Sequence, residues 1–420
     1  MYSWAQKLFP ICRSITGQGV RDTLTFINEI LPEMEIKSVP SGYRAFDWVV
    51  PLEWNIRSAY VEDESGERII DFAKSNLHVV GYSIPVDKWV SRDELDEHLY
   101  SLPDQPDAIP YVTSYYNERW GFCVAHNERI KIKGERFRVV IDSSLESGEL
   151  NYGELILTGE SSEEVFLSTY VCHPSLANNE LSGPVVATCL AKLLKEQKSL
   201  RYSYRIVFIP ETIGSLVYIS KNYEQLKSKV VAGFNLTCLG DDNCYSFLPS
   251  RKGDTLADKT ARHVLSHIDS QFKSYSWLDR GSDERQYCAP GIDLPVTTIM
   301  RSKYGEYEEY HTSLDNLDYI SANGLGGGAE ALIKAIEVIE NNRTLIATCI
   351  GEPQLGKRGL YPDLSIKNSS QYVRQMLNVI SLADGREVLS IAESLGVPLW
   401  DLYEQLNLLV ASGIVKYGEC

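Results

Sequence analysis

No run of apolar residues in this chain approaches the ~20 needed to cross a bilayer as a helix, so no membrane-spanning helix is expected. No Cys-x-x-Cys pair occurs, and the nine cysteines are odd in number and irregularly spaced. Several of them (Cys172, Cys189, Cys238, Cys349) sit in apolar runs, where cysteine behaves as a small hydrophobe. The set reads as reduced thiols of a cytoplasmic protein rather than a disulfide framework. Positive charge is also scarce. Forty-one basic residues face 57 acidic ones for a net charge of −16, which opposes phosphate and argues against nucleic acid as the main ligand. The opening residues, MYSWAQKLFP, lack a basic region followed by a long apolar core, so no signal peptide is expected.

What is present is an ordinary globular composition, 44% hydrophobic and 23% charged, over 420 residues, enough for two or three domains. The most informative stretch is VFLSTYVCHPSLANNELSGP, Val165 to Pro184. Its apolar run reads as a buried parallel strand that ends at His173, and Ser182-Gly183-Pro184 opens a helix. Ligands of open α/β sheets bind beyond the carboxyl ends of strands, where His173 falls. Arg205 to Pro210 is a second buried strand ending at Glu211. Leu294 to Met300 is a third, followed by an acidic, tyrosine-rich loop carrying His311. Imidazole and carboxylate are the usual zinc ligands, so these three residues outline a metal site.

Around them the texture changes twice. From about Gly42, short runs with Trp48, Trp54, Tyr60, Val79, Tyr82 and Trp89 read as a β-rich segment, with a helix near Ser91–Tyr100 and two strands between Tyr111 and Ala125. Helical patterns over Val20–Leu31, Gly183–Gln197, Ala257–Ile268 and Gly327–Ile339 alternate with strands, which indicates a largely parallel sheet between helices. After Tyr361-Pro362, helices at 372–380, 388–395 and 399–413 followed by a strand at 414–417 resemble a winged helix-turn-helix. From Tyr361 on, four basic residues face seven acidic ones, so packing or dimerisation is favoured there over DNA binding.

The segments LFPICRSITGQG, FDWVVPLEWNI, CHPSLANNELSGP, IPETIGS, RGSDERQYCAPGIDLPV, EYHTSLDNLDYIS and GEPQLGKRGLYP resemble the bacterial aminopeptidase-like proteins of the zinc-peptidase superfamily, which also contains secreted leucine aminopeptidases and glutaminyl cyclases. The resemblance implies a three-layer α/β zinc-peptidase fold over 1–41 and 131–350. It places an inserted β-rich domain at 42–130 and a winged helix at 351–420.

It also implies roles. His173 and His311 match metal ligands, and Glu211 matches the general base. Asn179 falls on the family's bridging aspartate, Thr212 on a ligand glutamate and Thr237 on a ligand aspartate. Three carboxylates of a two-metal site are therefore missing, and one zinc is expected rather than two. Either Asn179 is a weak ligand, or Glu180 replaces it. Glu211 is the other candidate for third ligand. Asp241 is a reserve carboxylate whose competing reading is a turn. Tyr310 is a candidate oxyanion donor, against a packing role. Asp283 and Glu284 are candidates for holding a substrate ammonium and Arg285 a carboxylate, against a solvated turn. Cys172 is expected to point away from His173 by strand alternation. His263 and His267 are read as surface residues.

Together these point to a zinc-dependent aminopeptidase-like hydrolase acting on a peptide or small amide. The alternatives are a single-zinc deacylase or cyclase and a degenerate peptidase that serves as a binding module. A homodimer through the apolar C-terminal helices is a further expectation.

Overall fold

A computed structural model describes residues 1–360 and 367–418. They form two compact units, one of Met1–Asp258 with Phe272–Glu330, the other of Lys259–Gln271 with Ala331–Cys420.

The first unit is built on an eight-stranded mixed sheet. Its strands are β1 (Glu35–Pro40), β2 (Glu149–Leu157), β3 (Glu164–Tyr170), β4 (Ser203–Ile209), β5 (Val230–Asn235), β6 (Ser246–Leu248), β7 (Lys273–Ser274) and β8 (Val296–Met300). The spatial order is β1-β2-β4-β3-β5-β8-β6-β7. The middle four, β4, β3, β5 and β8, run parallel, while β1, β2 and β6 pair antiparallel at the flanks. The parallel centre explains the continuous apolar runs, because every residue of β3 and β4 is buried. Arg205 on β4 and Glu164 on β3 are the charged exceptions. Arg205 reaches Glu164 (2.5 and 3.0 Å) and Glu154 on β2 (2.9 Å), which neutralise it across three adjacent strands.

Helix α1 (Ser182–Lys195) follows β3, and α2 (Ile213–Lys229) follows β4. Gly183 opens α1 where no side chain fits. An added Cβ would lie 2.4 Å from the Leu236 carbonyl oxygen. The β-rich segment forms a four-stranded sheet of Arg68–Asp71, Glu53–Glu62, Arg136–Glu146 and Val86–Ser91. Its longest pairing uses Arg136–Glu146, so this sheet closes only at residue 146. The two strands expected between Tyr111 and Ala125 are reduced to Phe122–Cys123. Other pairing there is by single bridges, Val79 with Phe122 and Gly81 with Thr113, and the chain otherwise follows an irregular path.

The second unit holds a three-stranded sheet, Asp384–Glu387, Thr344–Ala347 and Val415–Tyr417, with helices Lys367–Ser381, Val388–Leu395 and Tyr403–Ala411. This is the winged-helix pattern. His263, expected at the surface, is buried in this unit, where its Nε2 accepts the Leu399 N–H (3.0 Å). Among the described residues no helix is long and apolar enough to cross a membrane.

Candidate metal centre and active site

His173 lies three residues beyond the end of β3 and is 3% exposed. Its Nδ1 is 2.8 Å from Glu180 Oε2, and its Nε2 is 3.6 Å from Glu211 Oε2. A carboxylate on one imidazole nitrogen fixes the tautomer and leaves the other nitrogen free to bind a metal. Glu180 thus sits behind His173, away from Glu211. On its far side is Arg13, which is wholly buried. Arg13 Nε donates to the His173 carbonyl (2.9 Å) and lies 3.4 Å from Glu180 Oε1.

Cys172, His173 and Glu180 bring ligand atoms within 4.8 Å of one another. Cys172 therefore does not point away as strand alternation suggests, because regular strand geometry has ended at Tyr170. A cation among these three would face the Arg13 guanidinium, so we assign the trio to orienting His173. Burial opposes the charged His173 imidazole, yet Cys172 and Glu180 hold it well above its ordinary range. Burial pushes the Cys172 thiol up to about 11, so it is neutral at pH 7 and the Glu180 carboxylate is the neighbour that acts.

The next turn, Ala177–Leu181, buries Asn178, Asn179 and Glu180 and leads into α1. Asp315 holds its start, accepting the N–H groups of Ala177 (3.2 Å), Asn178 (2.6 Å) and Asn179 (3.0 Å) and the Tyr307 hydroxyl (2.9 Å). Because Asp315 shares the His311 loop, it ties the two ligand-bearing loops together. His311 has a positive φ of 55°, and its Nε2 is 3.1 Å from Asn179 Oδ1. Burial, with the charge of His173, pushes the His311 imidazole down to about 3, so it is neutral and able to ligate. Tyr310 stacks on the His311 ring (centroids 3.9 Å apart) and does not line the cavity, so its place supports the packing role over an oxyanion donor.

Glu211 follows β4 and Pro210. Burial raises its carboxyl pKa, against the pull of His173 and Arg285. The next residue, Thr212, has a positive φ of 63°, costly for a β-branched residue. Asp283 holds it there, accepting the Thr212 N–H (2.7 Å) and the Ser215 hydroxyl (2.9 Å) on Oδ1.

This corrects the expectation that Asp283 and Glu284 face a substrate amine, since both are fully buried. Glu284 accepts from Asn235 Nδ2, the N–H groups of Gly281 and Ser282 and the Tyr304 hydroxyl. Asp241 is likewise displaced as a reserve ligand. Its carboxylate takes up Asn178 Nδ2 (3.0 Å), the Ser302 N–H (2.9 Å) and hydroxyl (2.8 Å) and the Asn243 N–H (3.0 Å). Arg285 does reach the site, with Nη2 donating to Thr212 Oγ1 (2.6 Å).

His173, Glu211, Thr212, Arg285 and His311 line one cavity of about 290 Å³, walled by Trp48, Tyr111 and Tyr115 of the β-rich segment. Tyr111 sets its ring against both histidines (5.4 and 5.2 Å between centroids). The donor set fits one zinc ion. Ligand atoms on a tetrahedral zinc are about 3.3 Å apart, given metal–ligand bonds of ~2.0–2.1 Å. The His311 Nε2–Asn179 Oδ1 pair, at 3.1 Å, is close to that edge. The imidazole centroids are 5.5 Å apart, near the roughly 5 Å expected of two histidines on one ion. Beside them, Asn179 Nδ2 donates to the Tyr170 hydroxyl (2.7 Å), which lies 2.5 Å from Thr237 Oγ1. Two of the positions lacking carboxylates are joined by neutral hydrogen bonds. Neither Arg13 nor Tyr170 stands out as a site residue in the sequence. An arginine inside the apolar opening segment was the available signal for the first.

A mixed α/β sheet with these residues at its carboxyl edge, followed by a winged helix, defines an aminopeptidase-like protein. Residues 2–342 match a family model described as a domain of unknown function (DUF4910), and residues 343–417 match a winged helix-turn-helix model. The chain belongs to the DUF4910 family. A Clostridium acetobutylicum protein, named provisionally as a polysaccharide biosynthesis protein with an aminopeptidase-like domain, is 45% identical over 404 residues, 94% of this chain and 91% of that one. The crystal structure of a C. acetobutylicum protein provisionally named a peptidase matches with a TM-score of 0.93 at 42% identity, over 99% of this chain and 96% of that one. A zinc aminopeptidase from Bacillus subtilis matches at a TM-score of 0.57 and 12% identity, over 80% and 93%, a likeness of fold alone. The fold class and the aminopeptidase-like resemblance read from the sequence are borne out.

Proposed function

We propose that this protein is a single-zinc hydrolase that cleaves an amide bond in a small substrate. The observation that carries the reading is the meeting of His173, His311 and the Glu211 carboxylate at one cavity, with Asn179 Oδ1 buried against His311 Nε2. Nε2 of both histidines and Oδ1 of Asn179 would hold the ion. When bound, it supplies Lewis-acid polarisation of the carbonyl and a nucleophile at neutral pH.

The chain's own residues do the rest. Glu211 takes a proton from the attacking water and returns it to the leaving nitrogen, and its burial strengthens it as a base. Glu180 holds the His173 ring through Nδ1, and Arg13 braces the His173 carbonyl beside Glu180. Trp48, Tyr111 and Tyr115 shield the reacting carbonyl from bulk water. The cavity's small volume favours a compact acyl amide over a long peptide, so deacylation of a modified small molecule is the specific form of the reading. The naming of the C. acetobutylicum relative for polysaccharide biosynthesis suits such a substrate. The eight cysteines among the described residues are all free, in keeping with a cytoplasmic setting.

The test is metal content and amide turnover of protein purified without chelator. Wild type should carry close to one zinc. His173→Ala should lose it, and Glu211→Gln should keep it while turnover falls about 10²- to 10⁴-fold. A metal-free wild type, or full activity in Glu211→Gln, overturns the proposal.

A further inference from the structure

The charges around the cavity point to a substrate class, an inference that rests on the amide-hydrolase reading and narrows it. A site that selects a free amine needs a carboxylate to receive the ammonium. Among the described residues lining the cavity the one acid is Glu211, which the chemistry uses. Asp283 and Glu284, the nearest alternatives in sequence, are fully buried and line no part of the cavity; Asp283 Oδ1 and the Glu284 carboxylate face backbone and side-chain donors, and Asp283 Oδ2 has no hydrogen-bond partner.

The opposite charge is present. Arg285 lines the cavity, held by Nη2 on Thr212 Oγ1, and its Nε is buried without a partner. A glutamate at position 212 would pair with that guanidinium and cancel it. Threonine takes one hydrogen bond and brings no charge of its own. The aromatic walls Trp48, Tyr111 and Tyr115 lower the local dielectric, so an anion beside Arg285 gains more than it would in water. A planar guanidinium also matches carboxylate or phosphate in a two-point contact.

We propose that Arg285 is the specificity-determining residue of this cavity and selects an amide bearing a carboxylate or phosphate, not a free amine. No bond changes at Arg285. It binds and orients.

The experiment is calorimetric titration of the zinc-loaded protein with the α-amides of N-acetylaspartate and N-acetylphosphoserine and the uncharged N-acetylasparagine amide. Wild type, Arg285→Gln and Arg285→Lys are compared, each first checked for an unchanged melting temperature. At least one anion is expected to bind wild type tenfold or more tighter than the neutral amide. Which of the two does so separates a carboxylate from a phosphate. Arg285→Gln should weaken that anion roughly 10- to 100-fold and leave the neutral ligand unchanged. Arg285→Lys should recover part of the loss. Equal binding of anion and amide by wild type overturns the assignment, as does an anion preference that survives in Arg285→Gln.

Turnover of the same compounds is read separately. Anion binding that depends on Arg285 without hydrolysis would sink the hydrolase reading alone. Hydrolysis without anion preference would sink the Arg285 assignment alone.

Discussion

Replacing Glu180 by glutamine separates a residue that orients a ligand from one that is a ligand. The side chain has no exposed surface, with Oε2 on His173 Nδ1 at 2.8 Å and Oε1 3.4 Å from Arg13 Nε. Glu180→Gln keeps the shape and removes the charge. If Glu180 only orients His173, zinc affinity falls about 10- to 100-fold, or roughly 1.4–2.7 kcal/mol. Stability falls for a different reason. Arg13, whose Nη2 already lacks a partner, becomes an uncompensated buried charge, at about 3–5 kcal/mol. Removing that charge as well, in Arg13→Met with Glu180→Gln, should restore most of the stability and none of the zinc affinity. Affinity is read by competition with a chromophoric chelator, stability by urea unfolding of the metal-free proteins. Two results refute the reasoning. Zinc loss as complete as in His173→Ala would make Glu180 a direct ligand. Wild-type affinity would mean that His173 needs no orienting carboxylate.

Three further outcomes are expected. Asp315→Asn turns an amide NH₂ toward either the Asn178 N–H, now on Oδ1, or the Asn179 N–H, now on Oδ2, and should cost about 2–3 kcal/mol in urea unfolding with a parallel loss of zinc affinity; unchanged stability would remove Asp315 from the loop tie. Gly183→Ala drives a Cβ to 2.4 Å from the Leu236 carbonyl oxygen and should destabilise the first unit by about 1–3 kcal/mol, with a melting temperature equal to wild type as the contrary result. His263 is pushed down from 6.5 to about 4, by burial and then by His267. The unfolded chain therefore binds the extra proton between those values. The second unit should be fully stable above pH 6.5 and lose up to about 3 kcal/mol as pH falls through 4, and His263→Gln should flatten that slope.

The sequence revealed the elements that stand on periodicity and hid those that depend on distant partners. His173 and Glu211 could be placed because β3 and β4 are buried on both faces and their apolar runs end abruptly. The winged helix was legible from three amphipathic stretches and a closing strand. Asp283 and Glu284 were not legible. Two acids in a loop read as solvated, and only folding brings Tyr304, Asn235 and the Thr212 N–H to them. Cys172 was misread because alternation holds only while the strand lasts. His263 was misread because the Leu399 amide that it accepts lies 136 residues away.

The buried carboxylates carry the argument from fold to chemistry. Glu180, Asp241, Asp283, Glu284 and Asp315 all crowd the carboxyl edge of the sheet, and a count of acids there would suggest two metals. Each is instead engaged by its own donors: His173 and Arg13 for Glu180, amide and serine groups for Asp241, the Thr212 turn for Asp283, Gly281 and Tyr304 for Glu284, three backbone N–H groups for Asp315. Glu180 Oε1 and Asp283 Oδ2 remain buried without a hydrogen-bond partner, and the other oxygens of the five position loops and the His173 ring. Glu211, part-buried and facing His173 Nε2, is the acid that lines the cavity. The net charge of −16 therefore says little about the cavity. The cavity is lined by one glutamate, one arginine and two histidines, a balance that supports the proposal of one divalent ion and an anionic substrate over two ions and an amine.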